Sequence, residues 1–214
     1  MMSSAADFIK ANIGYFGYSS KQDLIENLYL SSLIDSYTRI AHTITTENEI
    51  RDRFMADLYQ TPSKLKDWLD QRLMYLDWEN WKFTPELKLA RADISFKISG
   101  CEFIIECKRL KYADNLYFEE GLSRFIKHHY AKGDEFAGMI GFVINDRDDD
   151  ILKGLKAKVK NHDHLSTPFS TGTFAGLPAS FQSSHTRTDS TTIHVYHLLF
   201  SFAAMAETQA EQAE

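Results

Sequence analysis

Arg91-Ala-Asp-Ile-Ser-Phe-Lys-Ile-Ser-Gly-Cys-Glu-Phe-Ile-Ile-Glu-Cys-Lys108 is the stretch whose reading decides the fold. From Ala92 to Ile98 the residues alternate, with Ile94, Phe96 and Ile98 on one side and Asp93, Ser95 and Lys97 on the other, the period of a half-buried strand. Cys101 to Lys108 is nearly all apolar until it ends in Glu-Cys-Lys, as in a strand buried on both faces. Ser99-Gly100 between them supplies the turn residues of a hairpin.

A turn centred on Ser99-Gly100 pairs residues whose numbers add to about 199, the arithmetic of an even-length hairpin loop. Ile98 then faces Cys101, and Asp93 faces Glu106. Directly opposed side chains stand about 5 Å apart at Cβ, and like charges there are destabilising unless something neutralises them. Lys108 shares a face with Glu106, one repeat along, and Cys107 points the other way. Asp93, Glu106 and the Cys107 carbonyl form a hard oxygen set of the kind that holds Mg²⁺ or Mn²⁺. A lysine beside such an ion can orient a water or offset developing negative charge. That chemistry fits hydrolysis of a phosphodiester. The plain alternative is that Glu106 and Lys108 are exposed charges at a strand end, paired with Lys97 and Asp93.

Asp93, twelve residues, then Glu106-Cys107-Lys108 resembles the signature of the PD-(D/E)xK nuclease superfamily, with Ala92 in place of the proline. The resemblance implies a restriction-endonuclease-like α/β fold, a mixed sheet flanked by helices. It also implies Mg²⁺-dependent cleavage of DNA, with RNA as the other possible polymer. Many members carry a glutamate on an N-terminal helix near the metals, a role that falls on Glu47. Tyr117-x-x-x-Gly121-x-x-Arg124-Phe125 resembles the helix after the E-x-K strand in phage-defence members. The implied setting is therefore defence against phage or plasmid DNA. The rival functions are a nuclease-fold subunit with a vestigial motif that binds nucleic acid or protein, and a metal-dependent hydrolase of a small phosphorylated substrate.

A chain of 214 residues suits one domain. The expected layout is a single domain over 1–202, with a helical N-terminal part at 20–82, a catalytic core at 83–202 and a flexible tail at 203–214. No apolar run approaches the ~20 residues that span a bilayer, and the start has no signal-peptide pattern. Two cysteines, both on the motif strand, exclude a disulfide framework and fit a reducing cytoplasm. The net charge of −6 is unusual for a protein that grips phosphates. Residues 151–200 are the exception, with 5 Lys+Arg against 2 Asp+Glu. No recognition module is visible, so a partner subunit or a homodimer is expected to select the target.

Around the hairpin, Leu24, Leu28, Leu30, Leu33, Ile34 and Tyr37 give a mostly helical spacing from Ser20 to about Ala41. A second helix follows Thr46, with Ile50, Phe54, Met55 and Leu58 buried. Thr46-Glu-Asn-Glu49 fits a capping box that employs Glu49. Glu47 sits on the inward stripe, or else is an exposed first-turn acid favoured by the helix dipole. Leu65, Trp68, Leu69, Leu73 and Leu76 suggest a third helix, with Trp78 and Trp81 closing a core or offering a stacking platform for bases.

After Lys108, Arg109 and Lys111 form a basic strand exit, and a helix is expected over about 114–130. Its Gly121 implies close approach by another group. Tyr117 and Arg124 on that helix are candidate nucleic-acid contacts, although Arg124 at i, i+4 from Glu120 has an ordinary ion pair open to it. Gly138–Ile144 reads as a buried strand. The helix after Asp146 has acids first and Lys153, Lys156, Lys158 and Lys160 later, as the macrodipole favours. Those lysines, Lys153 and Lys156 foremost, are the chain's best footprint for DNA, or simply a solvated face. Residues 181–187 and 191–202 read as a last hairpin, with His185 and Arg187 facing nucleic acid. His162, His164, His194 and His197 lack zinc spacing.

Overall fold

The computed structural model describes residues 4–42, 46–83, 89–127, 131, 133–145, 147–161 and 173–202. Its centre is one six-stranded mixed sheet: β1 (Tyr75–Phe83), β2 (Leu89–Ile98), β3 (Cys101–Leu110), β4 (Phe136–Val143), β5 (Ser180–Thr186) and β6 (Thr192–Ser201), in the order β1-β2-β3-β4-β6-β5. β1, β2 and β3 form an antiparallel meander, β4 runs parallel to β3 and to β6, and β5 returns antiparallel to β6. Strand β4 is buried throughout, as its run of Phe-Ala-Gly-Met-Ile-Gly-Phe-Val requires.

Helices cover both faces. On one side lie α1 (Ala5–Tyr15), α2 (Lys21–Leu24), a π-helical turn (Ile25–Leu30), α3 (Ser31–Arg39), α4 (Glu47–Gln60) and α5 (Lys64–Asp70), packed on Phe96, Phe103, Ile105 and Cys107. On the other side a π-helical segment (Tyr117–Leu122), α6 (Ser123–Ile126) and α7 (Asp148–Lys160) pack on Ile104, Leu110 and Met139. The π turn explains the imperfect spacing of the first leucine pattern. One extra residue per turn shifts the phase between Leu24 and Leu33, so that Leu28, Tyr29 and Leu30 are all buried.

The β2–β3 hairpin has the expected register, from Ile98↔Cys101 to Ile94↔Ile105, and Gly100 takes the positive φ of 81° that the turn needs. Four expectations need correction. Helix α1 was not anticipated, since its face toward the core buries only Ile13. Leu76 is not on a helix but on β1, which therefore belongs to the sheet and not to a helical part ending at 82. Trp78 and Trp81 close no core: both are exposed on that strand. The helix expected over 114–130 is described only from Tyr117 to Ile126 and begins with a π turn. The expectations for residues 203–214, His162 and His164 lie outside the described residues.

Tyr29, from the π turn, stacks on Phe96 with ring centroids 4.5 Å apart and 14° between planes, and lies against Phe103 as well. This contact fastens the helical layer to the hairpin. Phe96→Ala is expected to cost about 3–5 kcal/mol, the range for emptying a buried aromatic site. Denaturant unfolding of wild type and variant measures it, and Trp81→Ala on the exposed strand should cost far less.

Candidate active site

Strand β2 parts from β3 at its motif residue. The β2–β3 ladder ends at Ile94↔Ile105, while β2 continues alongside β1 as far as Leu89. Asp93 matches no residue in either ladder, and Glu79, which would face it across β1, adopts a positive φ of 55°. A non-glycine residue there carries backbone strain. In place of main-chain pairing, the Asp93 carboxylate accepts the Cys107 N–H at 2.8 Å. Two residues on, the Arg109 N–H donates at 2.9 Å to Glu47 Oε2, from the first turn of α4.

Helix α4 brings two functional side chains to this gap because they are one turn apart. Thr46 begins the helix, accepting the Glu49 N–H and donating its hydroxyl to the Glu49 carboxylate, so Glu49 stays exposed at the cap. Glu47 turns inward and is half-buried. Burial pushes its carboxyl upward, against the pull of the Arg109 N–H and of Lys108 and Arg51. Four residues along, Arg51 is 2% exposed. Its guanidinium donates to Asp93 at 3.0 Å, Glu79 at 2.8 Å and Asn48 at 3.1 Å. Arg91 reaches the same Glu79 oxygen at 3.0 Å.

Glu106 is fully buried and meets Arg124 Nη1 at 2.9 Å, with Lys108 Nζ at 3.6 Å from the same oxygen. Arg124 therefore pairs with the motif glutamate, and its expected alternative partner Glu120 is not what holds it. Gly121 lets the preceding helical segment lie close against β4: a Cβ there would lie 2.4 Å from Met139 Cε. Burial together with Asp93, Glu47 and Glu106 pushes the Cys107 thiol far up, so that side chain stays protonated and unreactive.

Glu47, Asp93, Glu106 and Lys108 are thus brought to one end of β3, with exposed Arg109 and Lys111 just beyond. The opposition of Asp93 and Glu106 as a ladder pair is not formed; each carboxylate instead has its own arginine. Tyr117 is corrected: it is fully buried, its hydroxyl bonded to His197 Nδ1 at 2.9 Å, and cannot meet nucleic acid. His185 and Arg187 are also buried, Arg187 donating to the carbonyls of Phe125 and Ala131. On α7, Lys153 is exposed, Lys156 lies over the Phe181 ring at 5.7 Å, and Lys158 is tied to Ala113 and Asn115.

In kind, the donor set of Asp93, Glu106, Glu47 and the Cys107 carbonyl fits a hard divalent cation. In this arrangement, the charge facing the carboxylates comes from Arg51, Arg124 and Lys108. Among the described residues no three His, Cys, Asp or Glu side chains are grouped to hold a metal ion. No helix among them is long and apolar enough to cross a membrane.

No protein-family model, curated protein or solved structure matches the chain.

Arg51 was not singled out in the sequence because a lone arginine on an otherwise apolar helix face reads as a surface residue. Its three acceptors make it the keystone of the site. Arg51→Leu should cost about 3–5 kcal/mol by leaving Asp93 buried without its cation. The double variant Arg51→Leu/Asp93→Asn should recover a good part of that loss, which a thermal double-mutant cycle would measure.

Proposed function

We propose that the chain is a metal-dependent DNA endonuclease of the restriction-endonuclease-like class, acting in the cytoplasm against phage or plasmid DNA together with a partner subunit or as a dimer. The observation that carries this reading is the convergence of three separate elements on residues 106–109 of β3: Glu47 from α4, Asp93 from β2, and the Glu106-Cys107-Lys108 run itself. The mixed sheet with helices on both faces is in keeping with the class.

A divalent ion, Mg²⁺ or Mn²⁺, would supply polarisation of the phosphoryl oxygen and a bound water of lowered pKa. Asp93, Glu106 and the Cys107 carbonyl, with Glu47 beside them, are the residues to hold it. Lys108, close to Glu106, is placed to orient the attacking water or to offset charge on the phosphate. Arg124, on the short helix after Gly121, is placed to hold a non-bridging phosphate oxygen. Arg109 and Lys111 extend the positive path along the strand exit. Buried Arg51 fixes Asp93 and touches no substrate.

A second reading is favoured by one observation: every carboxylate of the motif already has a protein cation or N–H, which a catalytically inactive, binding subunit would also show. Supercoiled plasmid incubated with the purified protein and Mg²⁺ separates the two. Nicking that is lost in Asp93→Ala, Glu106→Ala and Lys108→Ala, each still folded, is the expected result. Cleavage retained by Glu106→Ala would sink the catalytic assignment.

Glu47→Gln provides a check in which stability and activity diverge. Gln keeps the acceptor for Arg109 N–H without the cost of burying a charge. Because the folded pKa of Glu47 is raised, the wild-type deficit against Gln exists at neutral pH and disappears below the unfolded carboxylate pKa, where Glu47 is protonated in both states. Glu47→Gln should therefore melt no lower than wild type at pH 7 yet lose cleavage. Glu49→Gln should keep both, since Gln also serves a helix cap.

A further inference from the structure

The outer side of α4 carries a second feature, which the nuclease reading does not use. Asp52, Met55, Ala56 and Tyr59 recur at i, i+3, i+4 and i+7, and with Trp78 of β1 they line an open cavity of about 410 Å³. The two rings form adjoining walls, 6.3 Å between centroids and 69° between planes. Both are large aromatics left in water, Trp78 at 49% and Tyr59 at 38% exposure. The Tyr59 ring is held in place by its hydroxyl bond to the Leu76 carbonyl. Ala56 is the small residue of the lining. Asp52 is exposed and, among the described residues, has no hydrogen-bond or ion-pair partner. The acids around it have partners of their own, Asp77 in Lys97, Glu49 in the Thr46 cap and Glu79 in Arg51 and Arg91, which leaves Asp52 as the carboxylate at this cavity.

Two electron-rich ring faces set at a steep angle, with an uncommitted carboxylate at the rim, attract an organic cation. We propose that this cavity is the docking site for an arginine side chain of a partner polypeptide. Arginine is favoured over lysine because its flat guanidinium stacks on a ring while its fork meets a carboxylate in a bidentate fashion. A polypeptide is favoured over a small solute because the cavity opens beside β1, the outer strand of the sheet, which carries the exposed rings of Tyr75 and Trp81 along the same strand. An added extended segment running along an outer strand is a general mode of peptide capture. The overall charge of −6 favours a basic partner.

The test is a titration of ¹⁵N-labelled full-length protein, following the indole N–H of Trp78 with that of Trp68, packed against the core, as internal reference. N-acetyl-arginine amide should move the Trp78 signal saturably. N-acetyl-citrulline amide, the same shape without the charge, should bind about tenfold more weakly, the order of one cation–π contact with a carboxylate partner. Asp52→Asn should shrink that ratio toward one, and Trp78→Ala, at an exposed site, should abolish the response of α4 while leaving the melting temperature in place. A five-residue peptide with arginine between valines and threonines should bind more tightly than the capped amino acid. Equal response to arginine and citrulline, or an unmoved Trp78 signal, overturns the cation site. Tighter binding of tetramethylammonium than of the arginine peptide overturns the polypeptide partner. None of these readouts depends on cleavage, so the site stands or falls apart from the nuclease reading.

Discussion

The buried Arg51 guanidinium is the constraint around which the motif end of the sheet is arranged. A cation 2% exposed needs carboxylates close by, and it gathers Asp93 from β2 and Glu79 from β1. Both residues leave their ladder to reach it: Asp93 ends the pairing of β2 with β3, and Glu79 takes a strained left-handed φ. The gap opened between β2 and β3 exposes the N–H groups of Cys107 and Arg109, and two carboxylates replace the lost strand partner.

The hairpin was legible because its signals agree. Alternation in 92–98, the Ser99-Gly100 turn and an apolar run in 101–107 all specify one register, and the ladder follows it up to Ile94↔Ile105. Strand β4 and the final hairpin were legible for the same reason. Strand β1 was hidden because Leu69, Leu73 and Leu76 continue the helical spacing of α5, although Arg72, with φ of 58°, breaks the helix between them. Where local spacing fits two periods, pairing with β2 decides, and no single sequence shows pairing.

At the site, the separation of Glu47 from Glu49 was readable from the capping pattern alone, because a cap residue fixes which first-turn acid faces outward. The partners of the carboxylates were not readable. Arg124 lies eighteen residues from Glu106 and Arg51 forty-two from Asp93, and nothing local distinguishes them from surface arginines. Tyr117 and His185 misled in the opposite sense. Polar side chains on strand and helix faces look exposed, but Ser183 joins His185 and His197 at 2.7 Å each, and Tyr117 completes the chain. Such a mutually satisfied chain removes most of the penalty of burying polar atoms.

Charge balance bears on how the proposed site would work. Around the end of β3, Glu47, Glu79, Asp93 and Glu106 stand against Arg51, Arg91, Lys108 and Arg124, four anions and four cations. This inner, paired cluster is neutral and has little net pull of its own on an isolated divalent cation or an isolated phosphate, while exposed Arg109 and Lys111 beyond it add positive charge on the solvent side. Together the two nearly cancel, since a doubly charged cation adds what a phosphodiester and its neighbour remove. Arg124 is the cation best able to move from Glu106 to a phosphate, being at the surface end of a short helix with a third of its side chain exposed, whereas Arg51 is enclosed on all sides. The same charge equality that makes the resting site self-contained would thus couple cation and polyanion, each improving the other's affinity by thermodynamic reciprocity. A site built in this way would stay inert until nucleic acid arrived.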